Sequence, residues 1–139
     1  MKVKSTILFA CDNGEIELED SAERIKEQIK GLNDKQVNDF IKKLYASSGK
    51  HNYVKDSYFA NYDIDEENWY EDIRFLNGKK YKGKVDVLVG GSPCQSFSII
   101  GKRAGLEDTR GTLFYDFARL IKETQPKVFI YENVPGVRD

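Results

Sequence analysis

The sequence predicts an α/β fold with a mostly parallel sheet, on three observations. Two runs, Val85 to Val89 and Lys127 to Tyr131, are almost continuously apolar and rich in β-branched and aromatic residues. That is the pattern of strands covered on both faces. Between them Leu113, Phe114, Phe117, Leu120 and Ile121 recur at helical spacing, the mark of an amphipathic helix. Strand, helix and strand in that order make a βαβ unit, which implies parallel pairing and a right-handed crossover.

The remaining elements follow from the N-terminus. Val3 to Cys11 reads as a first strand, closed by the turn residues Asp12-Asn13-Gly14. Ala22, Ile25 and Ile29 form a short helical stripe, broken at Gly31. Val37, Phe40, Ile41, Leu44 and Tyr45 follow the i, i+3, i+4, i+7 rule, with Asn33 or Asp34 as the N-cap. The acidic stretch Asp63 to Glu71 and the basic stretch Lys79 to Lys84 read as solvated loops. The strand Val85 to Val89 runs into Gly90-Gly91-Ser92-Pro93, and the last helix is stopped by Gln125-Pro126. The final strand closes on Glu132-Asn133. No repeat or low-complexity segment interrupts the pattern.

A chain of 139 residues fits one domain with one ordinary core. Its 40% hydrophobic and 32% charged content is that of a globular protein. A net charge of −1 gives no global signal for nucleic acid, although a local basic strip would suffice to bind it. No signal-peptide pattern opens the chain, and no apolar run approaches the ~20 residues that span a bilayer. Two cysteines, Cys11 and Cys94, with His51 as the single histidine, exclude a disulfide framework and a four-ligand zinc site. A reduced cytoplasmic setting without a metal is the default expectation.

The 11 glycines contain no G-x-G, so the turn that cradles a dinucleotide is absent. Asp12 nevertheless ends a strand where such folds place the carboxylate for a ribose hydroxyl. That carboxylate follows the Gly-rich turn by roughly 20 residues. The expectation is that a first strand and its turn lie upstream of Met1.

The sharpest feature is the segment Gly90-Gly91-Ser92-Pro93-Cys94-Gln95-Ser96-Phe97-Ser98. It follows a strand, so Cys94 stands at the carboxyl edge of the sheet, where α/β enzymes bind ligands. Pro93 holds Ser92 extended and fixes the approach to the cysteine. A free cysteine is more often a small buried hydrophobe; the polar, proline-fixed loop favours the reactive reading. Glu132 closes the other strand of the same βαβ unit, so both side chains can share one crevice. Taken alone, a glutamate ending a strand is usually only solvated.

With SPCQSFS at 92–98 and YENV at 131–134, the chain resembles the DNA cytosine-5 methyltransferases. Residues 101–114 resemble the loop and helix start between those two motifs. Phe9-Ala10-Cys11-Asp12 is similar to the segment whose acidic residue holds the cofactor ribose. Phe59-Ala60-Asn61-Tyr62 and Glu71-Asp72-Ile73 match the next segments, with Asp72 at the adenine position. The match is dense from Val85 to Val134 and thinner from Phe9 to Asp72. Residues 19–53 form a helical insertion relative to compact members.

The resemblance implies a partial Rossmann-like methyltransferase fold spanning residues 1–139. It implies S-adenosyl-L-methionine as cofactor, held by Asp12, Asp72 and Pro93, and a cytosine flipped out of DNA as substrate. Cys94 is then the nucleophile and Glu132 its carboxyl partner, since a thiolate adds to carbon 6 of the ring only when formed below its free pKa of ~8.5. Gln95, Ser98, Lys102, Arg103 and Arg110 are the residues expected to meet DNA, the basic ones on a glycine-hinged loop that can fold over phosphates. An ordinary basic loop is the plainer reading of that segment.

Three family features have no counterpart: the F-x-G-x-G turn, the arginine motif beyond the glutamate and the target-recognition domain. The chain therefore reads as a piece lacking the first strand and the recognition domain, inactive alone. The competing readings are a non-catalytic module, and half of a split enzyme completed by another chain. A restriction endonuclease is a further expected partner, a membrane is not, and the nucleoid is the expected location. An RNA-directed relative would share the chemistry. A cysteine hydrolase or thiol-redox protein is weakly supported, because His51 lies far from the motif and there is no C-x-x-C.

Overall fold

The computed structural model describes residues 4–91 and 109–133. The chain forms two compact units, Met1–Leu76 and Asn77–Asp139. Both are built from short parallel sheets and helices, so the class is α/β.

In the first unit, strand β1 (Ala10–Cys11) leads to helix α1 (Ala22–Gln28), α2 (Asp34–Ser47), α3 (Tyr53–Asn61) and strand β2 (Trp69–Tyr70). β1 and β2 pair in parallel, Ala10 beside Trp69 and Cys11 beside Tyr70. The start of α2 follows from its sequence. Asn33 accepts from the Gln36 N–H at 2.9 Å while the Gln36 side chain accepts from the Asn33 N–H at 3.0 Å. This reciprocal cap satisfies two donors that the first turn leaves open. The apolar stripes of α1 and α2 meet in a core of Ile16, Ile25, Ile41 and Tyr45, flanked by Leu18, Ile29, Val37, Phe40, Leu44 and Phe75. Burying an isoleucine such as Ile25 is worth about 1.5–3 kcal/mol.

In the second unit, β3 (Val87–Gly91), α4 (Thr109–Thr124) and β4 (Val128–Glu132) form the expected βαβ arrangement. β3 and β4 pair in parallel from Val87 beside Val128 to Gly91 beside Glu132. On α4, Phe117 and Leu120 are buried, and Thr124 is fully enclosed with its hydroxyl donating to the Leu120 carbonyl at 2.7 Å. The helix stops at Thr124. Gln125 then takes a left-handed φ of 49° before Pro126.

Four readings of the sequence are corrected. The run Val3 to Cys11 contributes only Ala10–Cys11 to a ladder, because its partner β2 is itself two residues long, set between 3-10 turns at Glu66–Asn68 and Ile73–Phe75. The strands Val85 to Val89 and Lys127 to Tyr131 are found as Val87–Gly91 and Val128–Glu132. They are covered on part of one face, where Phe129 stays half exposed, rather than on two. Leu88 is buried and Gly90 abuts Phe117 of α4, whereas Val87, Val89, Val128 and Ile130 on the other face are each more than half exposed. The acidic stretch Asp63 to Glu71 ends in the buried trio Trp69, Tyr70 and Glu71, and the basic stretch holds the buried Tyr81. In both, charged neighbours conceal inward-facing aromatic rings. Helix α3 was not anticipated from the sequence.

Candidate functional site

Two strand edges carry the residues of interest, one in each unit. At the carboxyl edge of the β1–β2 sheet, the in-register pairing brings Asp12 and Glu71 to adjacent ends, with Asp72 one residue further on. The Asp12 N–H donates to the Tyr70 carbonyl at 3.2 Å. Its carboxylate is exposed and accepts the Gly14 N–H at 2.7 Å. Asn52 ties this edge together. Its side-chain N–H group donates to the Asp12 carbonyl at 2.9 Å and to Glu71 at 3.2 Å, while its oxygen caps α3 at the Lys55 N–H.

The two buried carboxylates of this edge are both partnered. Glu71 pairs with Lys55 at 3.3 Å. Burial works against the Lys55 charge, yet Glu66 and Glu71 hold its pKa above the ordinary lysine value. Asp72 has only 3% of its side chain exposed. It accepts the Arg74 N–H at 3.0 Å, the Arg74 guanidinium at 2.7–3.1 Å and the Tyr45 hydroxyl at 2.7 Å. Burial first, and then the neighbouring Asp72, push the Tyr45 phenol well above the usual tyrosine range. The hydrogen bond from Arg74 to Asp72 likewise raises the guanidinium pKa. Beside Asp72, Asn38 and Ile41 of α2 close a cleft of about 10 Å³ against Tyr70 and Phe75, room for roughly one water.

At the second edge, Gly91 stands beside Glu132 in the β3–β4 ladder. A Cβ at Gly91 would collide with the Glu132 carbonyl oxygen, and one at Gly90 would lie 2.5 Å from the Phe117 ring. Both positions therefore require glycine for close approach rather than for a special φ. The Glu132 side chain is exposed, and the neighbouring Asn133 side chain donates to the Tyr131 hydroxyl at 2.9 Å. Arg110 lies on the first turn of α4. Cys94, Pro93, Gln95, Ser98, Lys102 and Arg103 lie outside the described residues. Two residues, Ser92 and Pro93, separate Gly91 from Cys94 in the sequence.

Sequence reasoning missed Glu71, Asn52, Tyr45 and Arg74. Tyr45 completes a helical apolar stripe and reads as core, which it also is. Among the described residues no cluster of side chains is arranged to hold a metal ion, and no helix is long and apolar enough to cross a membrane.

Each unit by itself thus ends a parallel strand pair in a carboxylate, Asp12 in the first and Glu132 in the second, and strand ends are where α/β folds bind ligands. A family model for C-5 cytosine-specific DNA methylase matches residues 25–139, and the chain belongs to that family. Among its relatives are the orphan methyltransferase M.SPRI of Bacillus phage SPR, 48% identical over 61% of this chain and 19% of the relative, and the type II methyltransferase M.Eco47II of Escherichia coli, 54% identical over 48% of this chain and 16% of the relative. The type II methyltransferase M.HpaII of Haemophilus parainfluenzae is 52% identical over 50% of this chain and 20% of its own length. The chain thus spans about a fifth of these relatives.

Proposed function

We propose that this chain carries the catalytic segment of a DNA (cytosine-5-)-methyltransferase that uses S-adenosyl-L-methionine. The observation that carries this reading is the pairing of Gly91 with Glu132 at the end of two parallel strands, in a chain whose next residues are SPCQSFS. Family membership and relatives named as type II methyltransferases support it.

The chemistry assigned to the chain starts at Cys94. Its thiolate adds to carbon 6 of a flipped cytosine, forming a C–S bond and moving electron density to carbon 5. Glu132 hydrogen-bonds ring nitrogen 3 and stabilises the charge that addition places on the ring. Its exposed position at the strand end leaves it free to meet a base. S-adenosyl-L-methionine supplies a methyl group on a sulfonium, an electrophile for carbon 5. Loss of the carbon 5 proton to a base then restores the double bond and expels the Cys94 thiolate, so the enzyme is regenerated.

The fit to the cofactor differs along the first edge. Asp12, exposed at a strand end, suits a pair of ribose hydroxyls. Asp72 suits an adenine amino group by position, but its oxygens already have donors. Pro93 is assigned to the cofactor wall, and Gln95, Ser98, Lys102, Arg103 and Arg110 to the DNA, the basic side chains chiefly to phosphates. The reading places the protein in the cytoplasm on nucleoid DNA, with a restriction endonuclease as a potential companion. The open apolar face of β3–β4 favours one alternative, a split enzyme completed by a second chain.

The test uses the chain joined to, or complemented by, the remaining segments of a relative. Duplex DNA with 5-fluorocytosine at the target should trap a covalent complex, because fluorine cannot leave as a proton. Cys94→Ser should abolish trapping and methyl transfer while DNA binding persists. Glu132→Gln should slow transfer by roughly 10²–10⁴. Trapping that survives Cys94→Ser would show that another residue is the nucleophile. The chain by itself should bind S-adenosyl-L-methionine weakly and transfer no detectable methyl group to DNA; tight binding in calorimetry would contradict this.

A further inference from the structure

We infer that Tyr45, from α2, sets the affinity of the adenine subsite by occupying the acceptor on Asp72 that an adenine amino group would use. This rests on the reading of Asp72 as the adenine contact. A carboxylate offers about four acceptor positions. Four donors fill them here: the Arg74 N–H, two guanidinium nitrogens of Arg74 and the Tyr45 hydroxyl. Three of these come from a residue two positions along the same chain and are fixed by the 3-10 turn at Ile73–Phe75. Among the described residues, only the Tyr45 hydroxyl arrives from another element. It is therefore the donor that can be exchanged without unmaking the turn.

The cleft at Asp72 points the same way. It is walled by Asn38 and Ile41, two turns and one turn before Tyr45 on α2, and its single-water volume cannot admit a purine. A ligand reaching Asp72 must push α2 aside, and the Tyr45 bond is one of the ties that resist. Asn38 donates to the Trp69 carbonyl at 3.2 Å and Lys42 to the Glu66 carbonyl at 2.5 Å, so the remaining ties hold the helix near its place. α2 belongs to the helical excursion between Asp12 and Asn52. That excursion is thus coupled directly to the residue proposed to read the adenine.

The experiment titrates the 139-residue chain with S-adenosylhomocysteine and with its inosyl analogue, which lacks the exocyclic amino group, and follows binding by NMR up to millimolar ligand. Tyr45→Phe should tighten the adenosyl ligand roughly three- to tenfold, the worth of one neutral hydrogen bond released from competition. It should leave the inosyl ligand unchanged. An unchanged or weakened adenosyl affinity, or an equal change for both ligands, overturns the inference. A merely structural role for Tyr45 would move both ligands together. In the Tyr45→Phe background, Asp72→Asn should abolish the adenosyl preference; a preference that survives it shows instead that the adenine reading of Asp72 is wrong. Should Tyr45→Phe fail to fold, the wild-type chain decides. With ¹³C-labelled tyrosine, the Tyr45 ring signal should shift on saturation with the adenosyl ligand and not with the inosyl one, and a static signal overturns the inference. Absence of binding by both wild type and variant overturns the cofactor reading and the inference with it.

Discussion

Tyr45 and Asp72 have a consequence for stability as well as for ligands. Because the fold raises the phenol pKa, Tyr45 contributes stability that is complete below the unfolded tyrosine value of ~10 and is lost as pH rises through the higher folded value. Chemical denaturation of the wild type should therefore weaken above pH ~10. Tyr45→Phe should lose about 0.5–1.5 kcal/mol at neutral pH and show a flatter alkaline limb. Equal alkaline slopes for the two proteins would show that Tyr45 does not feel Asp72. At this scale the sequence was legible where a residue ends a strand. Asp12 and Glu132 stand at strand ends, as their positions after apolar runs suggested, whereas Asp72 lies two residues past a strand that the acid-rich stretch concealed. Glu71 was not legible, because burial of a glutamate is decided by Asn52 and Lys55 arriving from α3, which no local spacing announces.

Helices were read best, because their signals repeat along the chain. The α2 stripe and its Asn33 cap were both visible, and α4 stops where Gln125-Pro126 said it would. α3 was missed since Tyr53, Val54, Tyr58 and Phe59 do not share one face, and none of its residues is buried. β2 was missed because two buried aromatics sit inside an acid-rich stretch. Strand ends shifted toward the carboxyl side, since the glycine pair continues the ladder where a turn was expected. That pairing is testable. Gly90→Ala should destabilise by about 1–3 kcal/mol through overpacking against Phe117. Adding Phe117→Leu should recover part of that loss, giving a clear coupling in a double-mutant cycle; strict additivity would place the methyl elsewhere. At the other end of α4, Gln125 holds a left-handed φ that glycine adopts freely. Gln125→Gly should raise stability by up to about 1 kcal/mol in urea titration, and a loss would mean the side chain compensates for its backbone.

Across the molecule, near-neutral net charge and ordinary composition conceal an uneven distribution of apolar surface. The α/β class was legible from the order of strand and helix patterns, whereas coverage of the sheet was not. An apolar run shows that a strand can be buried on two faces; whether something arrives to bury it depends on distant chain. In the second unit α4 covers Leu88 and Gly90 on one face, where Phe129 stays half exposed, and the other face presents Val87, Val89, Val128 and Ile130 to solvent. This has a practical consequence for anyone handling the chain. Four adjacent aliphatic side chains on a flat, wet sheet form a patch of the kind that recruits hydrophobic dyes, holdase chaperones and other copies of itself. Purified alone, the chain should brighten anilinonaphthalene sulfonate without denaturant and scatter light more as salt or temperature rises. Val89 is 66% exposed, so Val89→Lys should quench the dye signal and raise the solubility limit while leaving the melting temperature nearly unchanged; a dye signal indifferent to that charge would locate the sticky surface elsewhere.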